Sequence, residues 1–128
     1  MQAYPDIEIY LAHLDLERLN AWLAEALDTP PLANAGKNRW RATAQRDGHD
    51  INILVIAKAA DGFASLWFDS AHTPWTTDSD CAHEAARQLD CEVRCSLGGW
   101  QPGDEPDQFL QVMPDAQEKT IEWPDSGQ

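Results

Sequence analysis

Hydrophobic and polar positions repeat with two different periods along the chain, and each change of period marks a new element. Between residues 6 and 13 the period is two, which predicts a half-buried strand: Ile7, Ile9 and Leu11 alternate with Glu8, Tyr10 and Ala12. From residue 16 the period lengthens to 3.6, which predicts a helix that Asp15 caps and Pro30-Pro31 ends. The inner stripe of this helix is Leu16, Leu19, Leu23, Ala26 and Leu27.

The stretch from Asp78 to Trp100 predicts a second helix that runs into a strand over residues 92–97. One face of the helix is almost entirely small, so we expect it to lie close against a sheet. That face consists of Cys81, Ala82, Ala85, Ala86 and Leu89. We expect the opposite face to be solvated, and it consists of His83, Glu84, Arg87, Gln88 and Asp90.

The remaining segments predict a sheet of mostly antiparallel strands. Residues 28–38 carry turn formers and predict a loop, whereas Asp47-Gly48 and Asp61-Gly62 are hairpin signals between strands. These strands cover 39–46, 51–60, 63–69, 108–113 and 119–123, and residues 124–128 form a frayed tail. The strand 51–60 is apolar enough to be buried on much of both faces. The fold class is therefore α+β, in the order β-α-β-β-β-α-β-β-β, with two helices packed on a twisted sheet in one domain spanning 1–128. A helix followed by three strands occurs twice, which suggests an internal αβββ duplication.

The charge narrows the range of partners. With 22 acidic against 9 basic residues the chain carries a net charge of −13, which repels phosphate backbones and anionic lipid headgroups. We therefore expect no nucleic-acid and no membrane partner. The charge has two interpretations that composition leaves open: it maintains solubility, or it matches a basic protein partner.

The compartment follows from the termini and the cysteines. The N-terminus has no basic segment followed by an apolar one, and the aliphatic run Ile53–Ala57 is too short to span a bilayer. Three cysteines are an odd number without a disulfide spacing, which favours a reducing compartment. We therefore expect a cytoplasmic protein.

A metal site is the first chemical candidate, because Cys81, His83, Cys91 and Cys95 lie within 15 residues. If the last two cysteines share one extended strand, four steps of about 3.3 Å separate them by roughly 13 Å, too far to share an ion. Cys81 and His83 lie on different helix faces. We therefore expect three buried structural thiols, no metal and no cofactor.

Catalytic motifs are missing from the sequence. It contains no G-x-S-x-G, no G-x-x-x-x-G-K-[ST] and no G-x-G-x-x-G. A Cys95 nucleophile beside His72 or His83, or a pair of carboxylates, could arise only through the fold. We therefore expect a protein that is not an enzyme.

The second half of the chain resembles a group of small uncharacterised bacterial proteins. The resemblance rests on Thr73-Pro74-Trp75, Asp78, Cys81-Ala82, Val93-Arg94-Cys95-Ser96 and Trp100. It implies a bacterial cytosolic setting and no particular site or substrate.

Two loops carry most of the unusual residues. If the second helix connects parallel neighbouring strands, loops 70–78 and 98–106 emerge at the same edge of the sheet. Two indoles beside carboxylates there would suit a cationic side chain. The candidate binding residues are Asp69, His72, Trp75, Trp100, Asp104 and Glu105. In the alternative interpretation Trp75 is a staple at the start of the helix and Trp100 is a lid over the core.

The sequence thus predicts a non-catalytic binding module that recognises a protein partner, which the acidity suggests is basic, through the loop edge 69–78 and 98–106. A small-molecule-binding or enzymatic domain with a pocket between helices and sheet is one alternative. An immunity or antitoxin-like inhibitor is another, because nuclease active surfaces are basic. The oligomeric state is left open.

Overall fold

A computed structural model describes residues 6–96 and 108–123 of the chain. These residues form two helices and a single sheet of eight strands. In chain order the elements are β1 (Ile7–Leu11), α1 (Leu16–Leu27), β2 (Ala33–Gly36), β3 (Arg39–Arg46), β4 (His49–Ala60), β5 (Phe63–Asp69), α2 (Asp78–Leu89), β6 (Val93–Ser96), β7 (Gln108–Val112) and β8 (Glu118–Glu122). Neither helix is long and apolar enough to cross a bilayer.

The sheet has the strand order β2-β3-β4-β5-β1-β6-β7-β8, and every recorded pair is antiparallel. The α+β class predicted from the sequence is therefore confirmed. Strands β5 and β6 run in the same direction, but they are not neighbours, because β1 lies between them and pairs with both. The αβββ duplication stays a prediction.

One face of the sheet, which we call the helix face, packs against both helices. The predicted alternation in β1 is confirmed, since Ile7, Ile9 and Leu11 are at most 1% exposed and lie in the core. The predicted small face of α2 is also buried, from Cys81 to Leu89. The cap predicted for α1 is present, because the Asp15 carboxylate accepts from two backbone N–H groups of the first turn.

Three details differ from the sequence prediction. Residues 33–36, predicted as loop, form the edge strand β2, which carries no hydrophobic signal because all four residues are exposed. Strand β4, predicted as buried on much of both faces, buries Ile51, Ile53 and Val55 but exposes Asn52. Helix α1 also buries Trp22, a residue outside the predicted stripe.

Candidate functional site

The second face of the sheet, which we call the outer face, carries the residues that alternate with the core. The register places Glu8, Trp67 and Leu54 directly opposite one another on three adjacent strands, with Arg41 next in the row. A second row, two residues along, contains Asp69, Asn52 and Thr43. The outer face therefore combines charged, aromatic and polar side chains.

A groove of about 510 Å³ lies on the outer face across strands β3, β4 and β5. Its shape follows from side-chain length, because the long side chains of Arg41 and Trp67 stand on the flanking strands and the shorter Leu54 and Asn52 lie between them. Thr43 and Asp69 also line it. The volume is in the range of small-ligand sites. A second cavity, of about 330 Å³, lies at the β7–β8 hairpin. Neither of these two cavities lies between the helices and the sheet.

The Trp67 wall of the groove is acidic. The Trp67 indole Nε1 donates to the Asp6 carboxylate at 2.7 Å, which fixes the ring of this partly exposed residue. Glu8 faces Trp67 across the strand pair and accepts from the Ser65 hydroxyl at 3.1 Å, while Asp69 is exposed. Three carboxylates thus surround one indole, an arrangement that attracts a cation to the ring.

The opposite wall of the groove is basic. Arg41 is exposed. Within the described ranges 6–96 and 108–123, its guanidinium forms no salt bridge and no hydrogen bond with another residue. Beside it the Thr43 hydroxyl donates to Asn52 Oδ1 at 3.0 Å. Because that bond occupies the Asn52 carbonyl oxygen, the amide nitrogen of Asn52 remains a donor toward the groove.

A separate aromatic cluster lies on the same face beyond Tyr10. In this cluster the Arg94 guanidinium lies 4.4 Å from the centre of the Phe63 ring and 4.7 Å from the centre of the Trp123 ring. Tyr10 and Phe109 pack edge-on against Trp123. Arg94 also forms a salt bridge with Glu92 at 2.8 Å. These contacts satisfy the cation internally, so we assign the cluster to the stability of the outer face.

The three predicted binding residues that the structure describes take different positions. Asp69 lines the groove. His72 lies at the β3–β4 hairpin instead, where its ring stacks on His49 with centroids 3.6 Å apart and its carbonyl accepts from Arg46. Trp75 is 5% exposed and belongs to the core. Trp100, Asp104 and Glu105 lie outside the described residues.

Trp75 packs in the core just before helix α2 and does not form part of an exposed surface. Its ring packs on Trp22 and Phe68, at centroid distances of 5.5 and 5.0 Å. Its indole N–H donates to Glu84 Oε1 at 3.1 Å, and Trp22 donates to Glu84 Oε2 at 2.8 Å. Glu84 was predicted to be solvated, but it serves as the acceptor for two buried indoles. His83 lies on the same face of α2, which was predicted to be solvated, and it is hydrogen-bonded to Glu118.

Two of the three cysteine thiols lie in the core. Burial raises the pKa of Cys81 well above its usual value and that of Cys95 to about 12, which disfavours a thiolate at either position. Cys91 is only half-buried, so the prediction of three buried thiols holds for two of them. Across residues 6–96 and 108–123, no group of three or more His, Cys, Asp or Glu side chains is arranged to hold a metal ion.

Sequence reasoning found Asp69 but missed the rest of the groove. The alternation in β5 places Trp67 and Asp69 on one side and Leu66 and Phe68 on the other, and this signal was available in the sequence. The contact of Asp6 with Trp67 and the position of Arg41 on the opposite wall of the groove depend on strand order, which periodicity does not contain. Comparisons of the chain with protein-family models, with curated proteins and with solved structures gave no match.

Proposed function

We propose that this protein is a non-catalytic binding module that recognises a basic segment of a partner protein through the groove on its outer face. The observation that carries the proposal is the Trp67 indole, held by Asp6 at 2.7 Å and flanked by Asp69 in a groove of about 510 Å³. The recognised group is a Lys or Arg side chain over the indole face. Three free thiols support a reducing compartment, the cytoplasm, for this function.

The physical basis of recognition combines a short-range and a long-range interaction. A cation over a Trp ring contributes about 0.5–2 kcal/mol, depending on how far it is desolvated. The net charge of −13 attracts a basic partner from a distance and raises the association rate. Since the long-range attraction acts on any basic peptide, the short-range contact at Trp67 must supply the specificity.

The first prediction tests this contact with an acetylated and amidated tetra-arginine peptide. Titration into ¹⁵N-labelled protein is expected to shift the indole N–H resonance of Trp67, assigned by its loss in Trp67→Phe, more than those of the buried Trp22 and Trp75. Asp69→Asn should weaken binding about threefold to tenfold, because it removes a carboxylate beside the indole. Heteronuclear NMR and calorimetry provide the two measurements.

The matched control is Glu25→Gln, which removes one negative charge from an exposed position on helix α1, on the far side of the sheet. If this variant weakens binding as much as Asp69→Asn, the attraction is general and the groove is not the site. Equal shifts of every indole resonance would contradict the proposal in the same way. Both substitutions lie at exposed positions, so unchanged thermal midpoints are expected.

A further inference from the structure

The groove contains a charge that recognition of a cation alone does not explain. Arg41 lines it opposite Trp67 and Asp69. A guanidinium in this position repels a bound Lys or Arg side chain, so a site for a cation alone would be better without it. The arrangement becomes favourable only if the ligand also carries a negative group on the Arg41 side.

The geometry sets the distance between the two ligand charges. Arg41 and Trp67 stand on strands β3 and β5, with Leu54 of strand β4 between them. Adjacent strands are about 4.8 Å apart, so the backbones that carry the two walls are roughly 9–10 Å apart. Arg41, Leu54 and Trp67 all line the groove. A gap of this width is comparable to the length of one basic residue, which carries a charge at each end when it is C-terminal.

We propose that the groove binds the C-terminal residue of a peptide when that residue is Lys or Arg. This inference rests on the proposed function and names the segment that is recognised. The terminal carboxylate binds the Arg41 guanidinium, with the Asn52 amide nitrogen as a second donor, and the basic side chain lies over Trp67 beside Asp69. Arg is suited to the first contact, because its planar fork donates two parallel hydrogen bonds to a carboxylate.

Two features favour a peptide terminus over a free amino acid. In a free basic amino acid the α-ammonium group is adjacent to the carboxylate and would be held against Arg41, where the like charges repel. In a peptide that nitrogen is a neutral amide. The groove is also bordered by exposed residues, among them Thr43 and Asn52, so a preceding chain can leave toward solvent.

The second prediction compares two peptides, acetyl-Gly-Gly-Gly-Arg with a free carboxylate and the same peptide with a C-terminal amide. The free acid is expected to bind the wild-type protein about tenfold more tightly, which corresponds to about 1.4 kcal/mol. Tighter binding of the free acid than of the amide is diagnostic, because the protein's net charge of −13 would by itself disfavour the additional negative group. In Arg41→Gln the amide should bind at least as tightly as the acid. Calorimetry measures the affinities.

Arg39→Gln is the matched control, because Arg39 is an exposed arginine of the same strand and the same face that does not line the groove. It should keep the preference for the free acid. Equal affinities of the two peptides for the wild-type protein, with Trp67 still perturbed, would overturn the inference and leave the proposed function intact. If neither peptide perturbs Trp67, both fail. Free arginine binding as tightly as the acid peptide would overturn the assignment to a peptide terminus.

Discussion

Replacing Glu84 by alanine is expected to destabilise the protein by about 3 kcal/mol, although Glu84 lies on the polar side of its helix. The carboxylate accepts the indole N–H groups of Trp22 and Trp75, which are 3% and 5% exposed. Without it both donors stay buried and unsatisfied, and each such donor costs about 1–3 kcal/mol. The three residues come from α1, the loop before α2 and α2 itself, so their network joins the two helices.

Glu84→Gln gives an intermediate result that separates hydrogen bonding from side-chain volume. The amide retains one acceptor oxygen but presents an NH₂ group to the other indole, so one of the two donors loses its partner. We expect a loss of about 1–2 kcal/mol in the free energy of unfolding. Near-ultraviolet circular dichroism should weaken in the same order, because it reports the fixed environment of the indoles.

Gln88→Ala is the control, since Gln88 is an exposed residue of the same helix. Its effect on urea unfolding should stay within about 0.5 kcal/mol. If Glu84→Ala cost no more than Gln88→Ala, the carboxylate would not hold the indoles in solution. Trp75 would then need another explanation for its place in the core.

The buried face of helix α2 was predictable from periodicity, whereas the hydrogen bonds that join Glu84 to Trp22 and Trp75 were not. The small stripe of α2 from Cys81 to Leu89 repeats with a helical period, and burial follows that period directly. Glu84 belongs to the polar stripe of the same pattern, so its side chain was predicted to be solvated. Its actual surroundings depend on Trp22 and Trp75, 62 and 9 positions away in sequence, which only the packing of α1 against α2 brings together.

Sequence periodicity was equally limited in predicting the binding groove. Alternation along β5 predicts that Trp67 and Asp69 share a face, and alternation along β3 predicts that Arg41 points away from the core. That these residues line a common groove follows from the order β3-β4-β5 and its register. The predicted loop surface assumed that β5 and β6 were neighbours, and the central strand β1 separates them instead.

Asp78 occupies the point where strands β1 and β6 separate. The recorded pairing of these strands covers Tyr10 with Arg94 and Leu11 with Val93. At the next outer-face positions the Asp78 carboxylate lies between the strands, accepting from the Glu8 backbone N–H at 3.2 Å and from the Ser96 hydroxyl at 3.1 Å. This carboxylate thereby replaces a contact between the two strands and connects the start of α2 to the sheet.

Burial at this position gives Asp78 an unusual titration. Its pKa is raised from 3.8 to about 6, chiefly because burial disfavours the charged form, while the bonds from Glu8 and Ser96 partly oppose the rise. The pKa of the neighbouring Glu8 is raised for the same main reason. Since the folded state binds the Asp78 proton more tightly than the unfolded chain, the contribution of Asp78 to the free energy of unfolding is greatest below about pH 4 and is lost as the pH rises through about 6.

Asp78→Asn is therefore expected to stabilise the protein at neutral pH and to leave it nearly unchanged in acid. Asparagine keeps both hydrogen bonds, with its oxygen accepting from Glu8 and its amide donating to Ser96, and it has no charge to desolvate. Because one pKa unit corresponds to about 1.4 kcal/mol, the rise from 3.8 to about 6 corresponds to about 3 kcal/mol at pH 7.5. The loss of a favourable charge–helix interaction of about 0.5 kcal/mol leaves an expected gain of about 2–3 kcal/mol for the variant.

Urea unfolding of both proteins at pH 4.0, 5.5 and 7.5, followed by tryptophan fluorescence, measures this gain. Asp80→Asn is the control, because it removes an exposed charge from the same first turn and should be neutral or slightly destabilising at pH 7.5. A constant difference between Asp78→Asn and wild type across the three pH values would show that the pKa of Asp78 is the same in the folded and unfolded states. The two hydrogen bonds at the strand junction would then offset the effect of burial on this carboxylate.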